Sequence, residues 1–240
     1  MDGHLPWCHC QVEVRAITRE LKGAVEPLWH QIQLSPGFKI SDWMAIRGEL
    51  DPTQVDDLWS QVIQHFRNRL ERRFLAPAAL LLQDEGETQQ TSFPQGLGFT
   101  VLAIDCLLIE ALVGLESGRR TSAGQTAQAF QGFLTSAPRF AESFGDQDRG
   151  SKFVKAVRNG VLHDGETRHG WIVWQGKRDG PIVEALEEGL LVVNRSAFHF
   201  ALETYVDSYF SRLKDPENVE LRSSFKDRID ALCGESAPVG

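Results

Sequence analysis

The chain has 240 residues, a formal net charge of −8, and 42% hydrophobic and 24% charged residues. This length fits one domain, or one domain with an appendage, and the composition is typical of a soluble globular protein. The net negative charge argues against a protein that binds long duplex DNA on a basic face.

The N-terminal part has a mixed character. Breaks at Pro27, Pro36 and Gly48 leave its secondary structure undecided, so residues 1–50 are predicted to be an appendage of unknown role. The His and Cys residues of "MDGHLPWCHC" lack the paired spacing of a zinc site. No metal is therefore predicted there or elsewhere in the chain.

Two features predict a cytoplasmic protein. The N-terminus has no basic region followed by an apolar run, so it is not typical of a secretory signal. Four cysteines are too few and too scattered for a disulfide framework, which favours a reducing compartment.

A predicted helical domain covers residues 51–232, and a tail covers 233–240. Asp51 is predicted to cap the first helix, with Pro52 at its first position and apolar residues at helical spacing up to Pro77. The stretch 99–117 is apolar almost all round, which is typical of a central core helix. Its apolar part, 99–115, is short for a membrane span and is interrupted by Asp105 and Glu110, so no membrane is predicted.

The second half of the chain combines helices with a few strands. Helices are predicted over 126–134 and 149–163, the second ended by Asp164 and Gly165. "GWIVWQG" and "GLLVVNR" read as two strands of a hairpin, and the helix 196–213 follows, with a short helix after it. The predicted fold is mainly α: a helical bundle with a small β-hairpin insertion before the last long helix.

One short stretch, "RNGVLH", concentrates chemistry-bearing side chains. At about 100° per residue, Arg158, Asn159 and His163 spread over an arc of about 140° away from the centre of the apolar stripe. Gly160 beside them leaves room for another group to approach the backbone. The number of Arg-x4-His matches expected by chance in a chain of this composition is about one half, and a histidine in a last turn also caps carbonyls.

The whole phrase resembles the Arg-x4-6-His signature of the HEPN superfamily, in which a polar residue, often Asn, follows the Arg. Upstream, "FTVLAIDCLLIEALVGLESG" and "FQGFL" are similar to two core helices of a group of bacterial HEPN-like proteins. Downstream, "HDGETRHGW" and "LLVVNRSAFHFALETYVDSY" are similar to the strand-then-helix ending of that group. The resemblance covers residues 51–213.

The resemblance implies a metal-independent endoribonuclease without a cofactor, with Arg158 and His163 catalytic and Asn159 orienting them. Histidine exchanges a proton near neutral pH, and arginine offers a planar fork of donors to phosphate oxygens. Attack by the 2′-hydroxyl of RNA would leave 2′,3′-cyclic phosphate ends. The resemblance also implies a homodimer across the Arg158/His163 helix, and antiviral defence, a toxin–antitoxin pair or a stress response as its setting.

Supporting roles are predicted for neighbouring charges. Asp105 or Glu110 is expected to hold Arg158 or His163, since buried carboxylates need partners, and Asp105 is the favoured one. Lys152 and Lys155 are expected to attract the phosphates of a bound RNA, or simply to be solvated.

Two other interpretations stay open. The chain could be a non-catalytic HEPN-fold module that binds RNA, a nucleotide or a partner protein such as an antitoxin. It could also be an inactive regulatory or structural subunit, which the acidic charge favours slightly. Activity on RNA that depends on Arg158 and His163 would separate these readings from the enzyme.

Overall fold

A computed structural model describes residues 28–54, 56–86, 97–118, 123–186 and 189–235. Helices dominate these residues, so the predicted mainly α class is confirmed. The predictions on residues 1–27, including the reading of their His and Cys cluster, lie outside the described part of the chain.

The residues before Asp51 belong to the same core as the helices. A hairpin of β1 (Gln33–Ser35) and β2 (Phe38–Lys39) leads directly into helix α1 (Ile40–Ile46). Trp43 of α1 is fully buried, and its ring N–H donates to Asp230 near the far end of the chain at 2.8 Å. The predicted appendage 1–50 is therefore wrong for its second half, because the apolar side chains there pack into the bundle.

The first long helical run starts later than predicted and passes through a proline. Helix α2 (Asp57–Leu70) is capped by Asp56, whose carboxylate accepts from the Trp59 N–H, while Asp51 binds Thr53 instead. A π turn (Glu71–Leu75) then connects α2 to α3 (Ala76–Gly86). The chain accommodates Pro77, which has no N–H to donate, immediately after this π turn.

Helix α4 (Leu97–Ser117) lies at the centre of the bundle and packs against α3 and against α8 (Arg195–Lys214) and α9 (Val219–Glu235). By length and composition alone it is the one helix of the described residues that could cross a membrane, and half of its most apolar window is buried in the bundle. This is the packing of a core helix, as predicted. The helix α9 is 17 residues long rather than short, and it extends past the predicted tail boundary because Phe225, Ile229 and Cys233 are buried along one face.

A second group of helices covers one side of α4. Helices α5 (Ala123–Ser136), α6 (Pro138–Phe144) and α7 (Gln147–Phe153) follow each other closely. Helix α7 continues as two π turns, Val154–Arg158 and Gly160–Asp164. Gly165 then adopts a left-handed conformation with φ 73°, which ends the helical run as predicted.

The β insertion is a three-stranded sheet, with β5 between the other two strands. Strands β3 (Trp171–Trp174) and β5 (Leu191–Asn194) confirm the two predicted strands, and β4 (Val183–Ala185) lies between them in sequence. The hairpin is formed by β4 and β5, whereas β3 pairs with β5 in parallel. The side chain of Asn194 ties this sheet to α8: it caps the helix at Ala197 and holds Gly176 and Lys177.

Gly160 offers a direct test of this arrangement. A Cβ at Gly160 would overlap the backbone carbonyl of Glu166, whereas a Cβ at Gly132 in α5 meets nothing. Gly160→Ala is expected to lower the free energy of unfolding by about 1–3 kcal/mol, since backbone must shift. Gly132→Ala, the matched control, is expected to raise it by up to about 1 kcal/mol. Urea unfolding of both variants measures the difference, and equal stabilities would contradict the packing described.

Candidate functional site

The backbone around Arg158 is not the α-helix that the sequence argument assumed. The Asn159 N–H bonds to the Val154 carbonyl and the Gly165 N–H to the Gly160 carbonyl, five residues back in each case. A π turn rotates the chain less per residue than an α-helix, so residues five apart lie closer to one face. Arg158 and His163 are therefore closer in direction than the about 140° expected from an α-helix.

The guanidinium of Arg158 is held in a fixed orientation. Its Nε and Nη2 both donate to Glu110 Oε1 of α4, with the Nε distance at 2.9 Å, and its Nη1 donates to Asn159 Oδ1 at 2.8 Å. This hydrogen bond from Arg158 to Asn159 supports the predicted orienting role of Asn159. An arginine has five N–H donors, and these bonds use three, so two remain for an acceptor such as a phosphate oxygen.

The other predicted site residues, apart from Asp105, lie in the same helical run as Arg158. His163 is exposed in the second π turn, and Lys155 is exposed in the first. Lys152 pairs with Asp148 one turn earlier in α7 at 2.6 Å, so its charge is already partly balanced. The open backbone at Gly160 is occupied by the chain's own Glu166 carbonyl, not left free for a ligand.

The prediction that Asp105 holds Arg158 or His163 is wrong. The carboxylate that contacts Arg158 is Glu110, and Asp105 instead bonds the Nδ1 of His199 in α8 at 2.8 Å. Both members of this second pair are buried, Asp105 completely and His199 to 2% exposure. Asp105 and Glu110 are five residues apart on an α-helix, so they face different neighbours.

Asp105 and His199 change each other's proton affinity. Burial works to lower the pKa of His199, but the hydrogen bond and charge of Asp105 outweigh it and the pKa is raised. Burial raises the pKa of Asp105, against the opposing effect of His199. Both shifts favour retention of a proton by the pair.

Sequence reasoning missed His199 and its surroundings. His199 lies in "SAFHFAL", where an apolar helical face on both sides indicates burial, and a buried histidine needs a partner. That signal was available, but the partner Asp105 lies 94 positions earlier. Nothing in the local sequence connects the two.

Neither pair forms a metal centre. Across the described residues, no group of three or more His, Cys, Asp or Glu side chains is placed to hold a metal ion. No family model, curated protein or solved structure matches the chain. The HEPN resemblance therefore stays a prediction, and the site rests on its own geometry.

The buried pair gives a stability prediction. His199→Ala leaves the Asp105 carboxylate buried without a partner, and about 3–5 kcal/mol of unfolding free energy is expected to be lost. The double variant Asp105→Leu with His199→Phe removes both polar groups and is expected to be clearly more stable than His199→Ala. Chemical denaturation measures all three chains, and a double variant as unstable as the single one would contradict a paired Asp105 and His199.

Proposed function

We propose that the chain is a metal-independent endoribonuclease, cytoplasmic and homodimeric, that acts in antiviral defence, a toxin–antitoxin pair or a stress response. The observation that carries this proposal is the fixed guanidinium of Arg158, with two donors left over, in the same helical run as the exposed imidazole of His163. The resemblance of this segment to the HEPN signature supports the choice of RNA as substrate.

The proposed chemistry follows from these two side chains. One His163 takes the proton of a 2′-hydroxyl, and the oxygen attacks the adjacent phosphorus. The bond from phosphorus to the 5′-oxygen breaks, and that oxygen leaves as a hydroxyl with a proton from the His163 of the second subunit. Arg158 donates to the phosphorane oxygens as their negative charge grows. The products are a 2′,3′-cyclic phosphate and a 5′-hydroxyl, and DNA is not cut.

The fixation of Arg158 suits this role. Glu110 and Asn159 hold the guanidinium in place before any ligand arrives, so its free donors need no reorganisation during the reaction. The side chain of Arg158 is only 15% exposed, which also lowers the screening of its charge by water.

A second candidate function has an observation in its favour. The Glu110 carboxylate already neutralises Arg158 and takes two of its donors. A guanidinium paired in this way is also typical of a structural ion pair. The alternative is thus a non-catalytic module of the same fold that binds RNA, a nucleotide or a partner protein.

Cleavage of RNA without metal is the first test of the enzyme proposal. Purified protein is incubated with a labelled structured RNA in EDTA, beside the variants His163→Asn and His169→Asn. His163→Asn is expected to lower the cleavage rate at least about 100-fold, because general acid–base catalysis supplies that much. His169 is exposed nearby and serves as the matched control.

Arginine variants extend the same assay. Arg158→Lys keeps the charge but loses the planar fork, so a large loss of rate is expected, whereas Arg168→Lys, in an exposed pair with Asp164, is expected to have little effect. Ends other than cyclic or 3′-phosphate, or equal rates for the two histidine variants, would contradict the proposed site. Absence of cleavage on several RNAs by a folded dimer would favour the binding module.

The dimer is tested separately at Leu107. This leucine is 46% exposed and lies one turn before Glu110 on α4, so it adjoins the contact with Arg158. Leu107→Glu is expected to give a folded monomer with little cleavage, because a two-fold interface would bury this side chain beside its own copy. Leu80→Glu, on α3 and 64% exposed, is the matched control. Light scattering reports the mass, and a wild-type monomer or an unaffected Leu107→Glu dimer would contradict the interface.

A further inference from the structure

A cavity of about 290 Å³ lies between α3, α8 and the loop after β3. One face of α8 supplies Ser196, His199, Phe200 and Glu203, at the spacing of successive helical turns. Ala79 and Leu82 of α3 and Phe200 give it apolar walls, and Arg178 of the loop adds a positive charge. Largely apolar cavities with a few convergent polar groups are the usual form of small-molecule sites.

His199 is the unusual member of this lining. Its Nδ1 is bonded to Asp105, but its Nε2 is buried and has no hydrogen-bond partner. The closest acidic oxygen, Glu203 Oε1, is 3.8 Å away, which is too far for a hydrogen bond. Buried polar atoms without a partner are costly and rare in native proteins.

The proton count of the pair determines what His199 Nε2 needs. A pair with one proton and no net charge is either imidazolium with carboxylate, or neutral imidazole with carboxylic acid. In the second form Nδ1 accepts from Asp105, so the imidazole proton sits on Nε2. In both forms Nε2 is a donor. The missing partner is therefore an acceptor.

The surroundings of the cavity favour an acceptor that carries negative charge. Arg178 lies over the Phe200 ring at 4.1 Å and donates to Glu203 at 2.6 Å, and its side chain is largely exposed. Ser196 lies in the first turn of the 20-residue helix α8, whose N-terminal end carries partial positive charge. Glu203 is the single negative group of the lining, and Arg178 balances it.

We propose that this cavity binds a small molecule through an anionic oxygen group, a carboxylate or a phosphate, which accepts from His199 Nε2 and from Arg178. The apolar walls receive the rest of the molecule. Glu203 competes with the ligand for the positive charge of Arg178, since its carboxylate already takes one of the Arg178 donors. This site is distinct from the Arg158 site and does not depend on RNA cleavage.

Calorimetric titration tests the proposal with four probes: acetate, inorganic phosphate, benzoate and phenyl phosphate. Benzoate or phenyl phosphate is expected to bind saturably and more tightly than acetate or inorganic phosphate, because its ring enters the apolar part. The comparison of these two ring probes decides between a carboxylate and a phosphate. Arg178→Gln is expected to weaken binding about tenfold or more, since a hydrogen bond to a charged group is lost.

Glu203→Gln gives the sharper test, because it should strengthen binding while most variants weaken it. Removing the competing charge is expected to tighten binding several-fold. Asp207→Asn is the matched control, since Asp207 lies one turn further along α8 and pairs with Arg67 at 2.5 Å, away from the cavity. Arg178 and Asp207 are exposed and Glu203 is partly exposed, so these variants avoid the folding defect expected for His199→Ala.

Three outcomes would overturn the proposal. One is no saturable binding of any of the four probes to the folded protein. Another is binding that Arg178→Gln leaves unchanged, which would place the anion elsewhere. The third is an equal change in affinity for Glu203→Gln and Asp207→Asn, because the change would then come from the overall charge of the protein.

Discussion

Two of the three carboxylates in α4, the apolar central helix, constrain the rest of the structure. Asp105 and Glu110 lie in α4, where a charge without a partner costs several kcal/mol, on the order of 3–5. Each finds one partner: Asp105 bonds His199 of α8, and Glu110 bonds Arg158 of the first π turn. Because the two carboxylates face different neighbours, α4 fixes the position of two separate elements by specific polar contacts as well as by apolar packing.

The same two contacts build the two candidate sites. The pair at Glu110 is partly exposed and fixes Arg158 in a helical run that also carries an exposed histidine, which suits a reaction on a large substrate such as RNA. The pair at Asp105 is buried and leaves a single unpaired donor at His199 beside a cavity of limited size, which suits a small ligand. One helix thus supports both candidate sites, and the two ion pairs differ in depth of burial.

A structural element could be predicted from the sequence where the residues that determine it lie close together in the chain. The central helix, the strands β3 and β5 and the stop at Gly165 were predictable, because apolar periodicity and glycine act within a few residues. The parallel pairing of β3 with β5 and the bond from Asp105 to His199 were not, since they join residues far apart in sequence. The sequence did indicate that Asp105 or Glu110 holds Arg158 or His163, but helical position alone could not decide between the two carboxylates.

The π turns explain why the relative directions of the Arg158 and His163 side chains could not be predicted from the sequence. Side-chain directions calculated from the sequence assume the rotation of an α-helix. Two i→i+5 turns change the direction of the side chains from Val154 to Asp164. Such turns are rare and are frequently found at functional sites. Here Gly160 makes the second turn compatible with the close approach of the Glu166 carbonyl. The irregular backbone that made Arg158 and His163 hard to place from sequence is the feature that brings them toward one face.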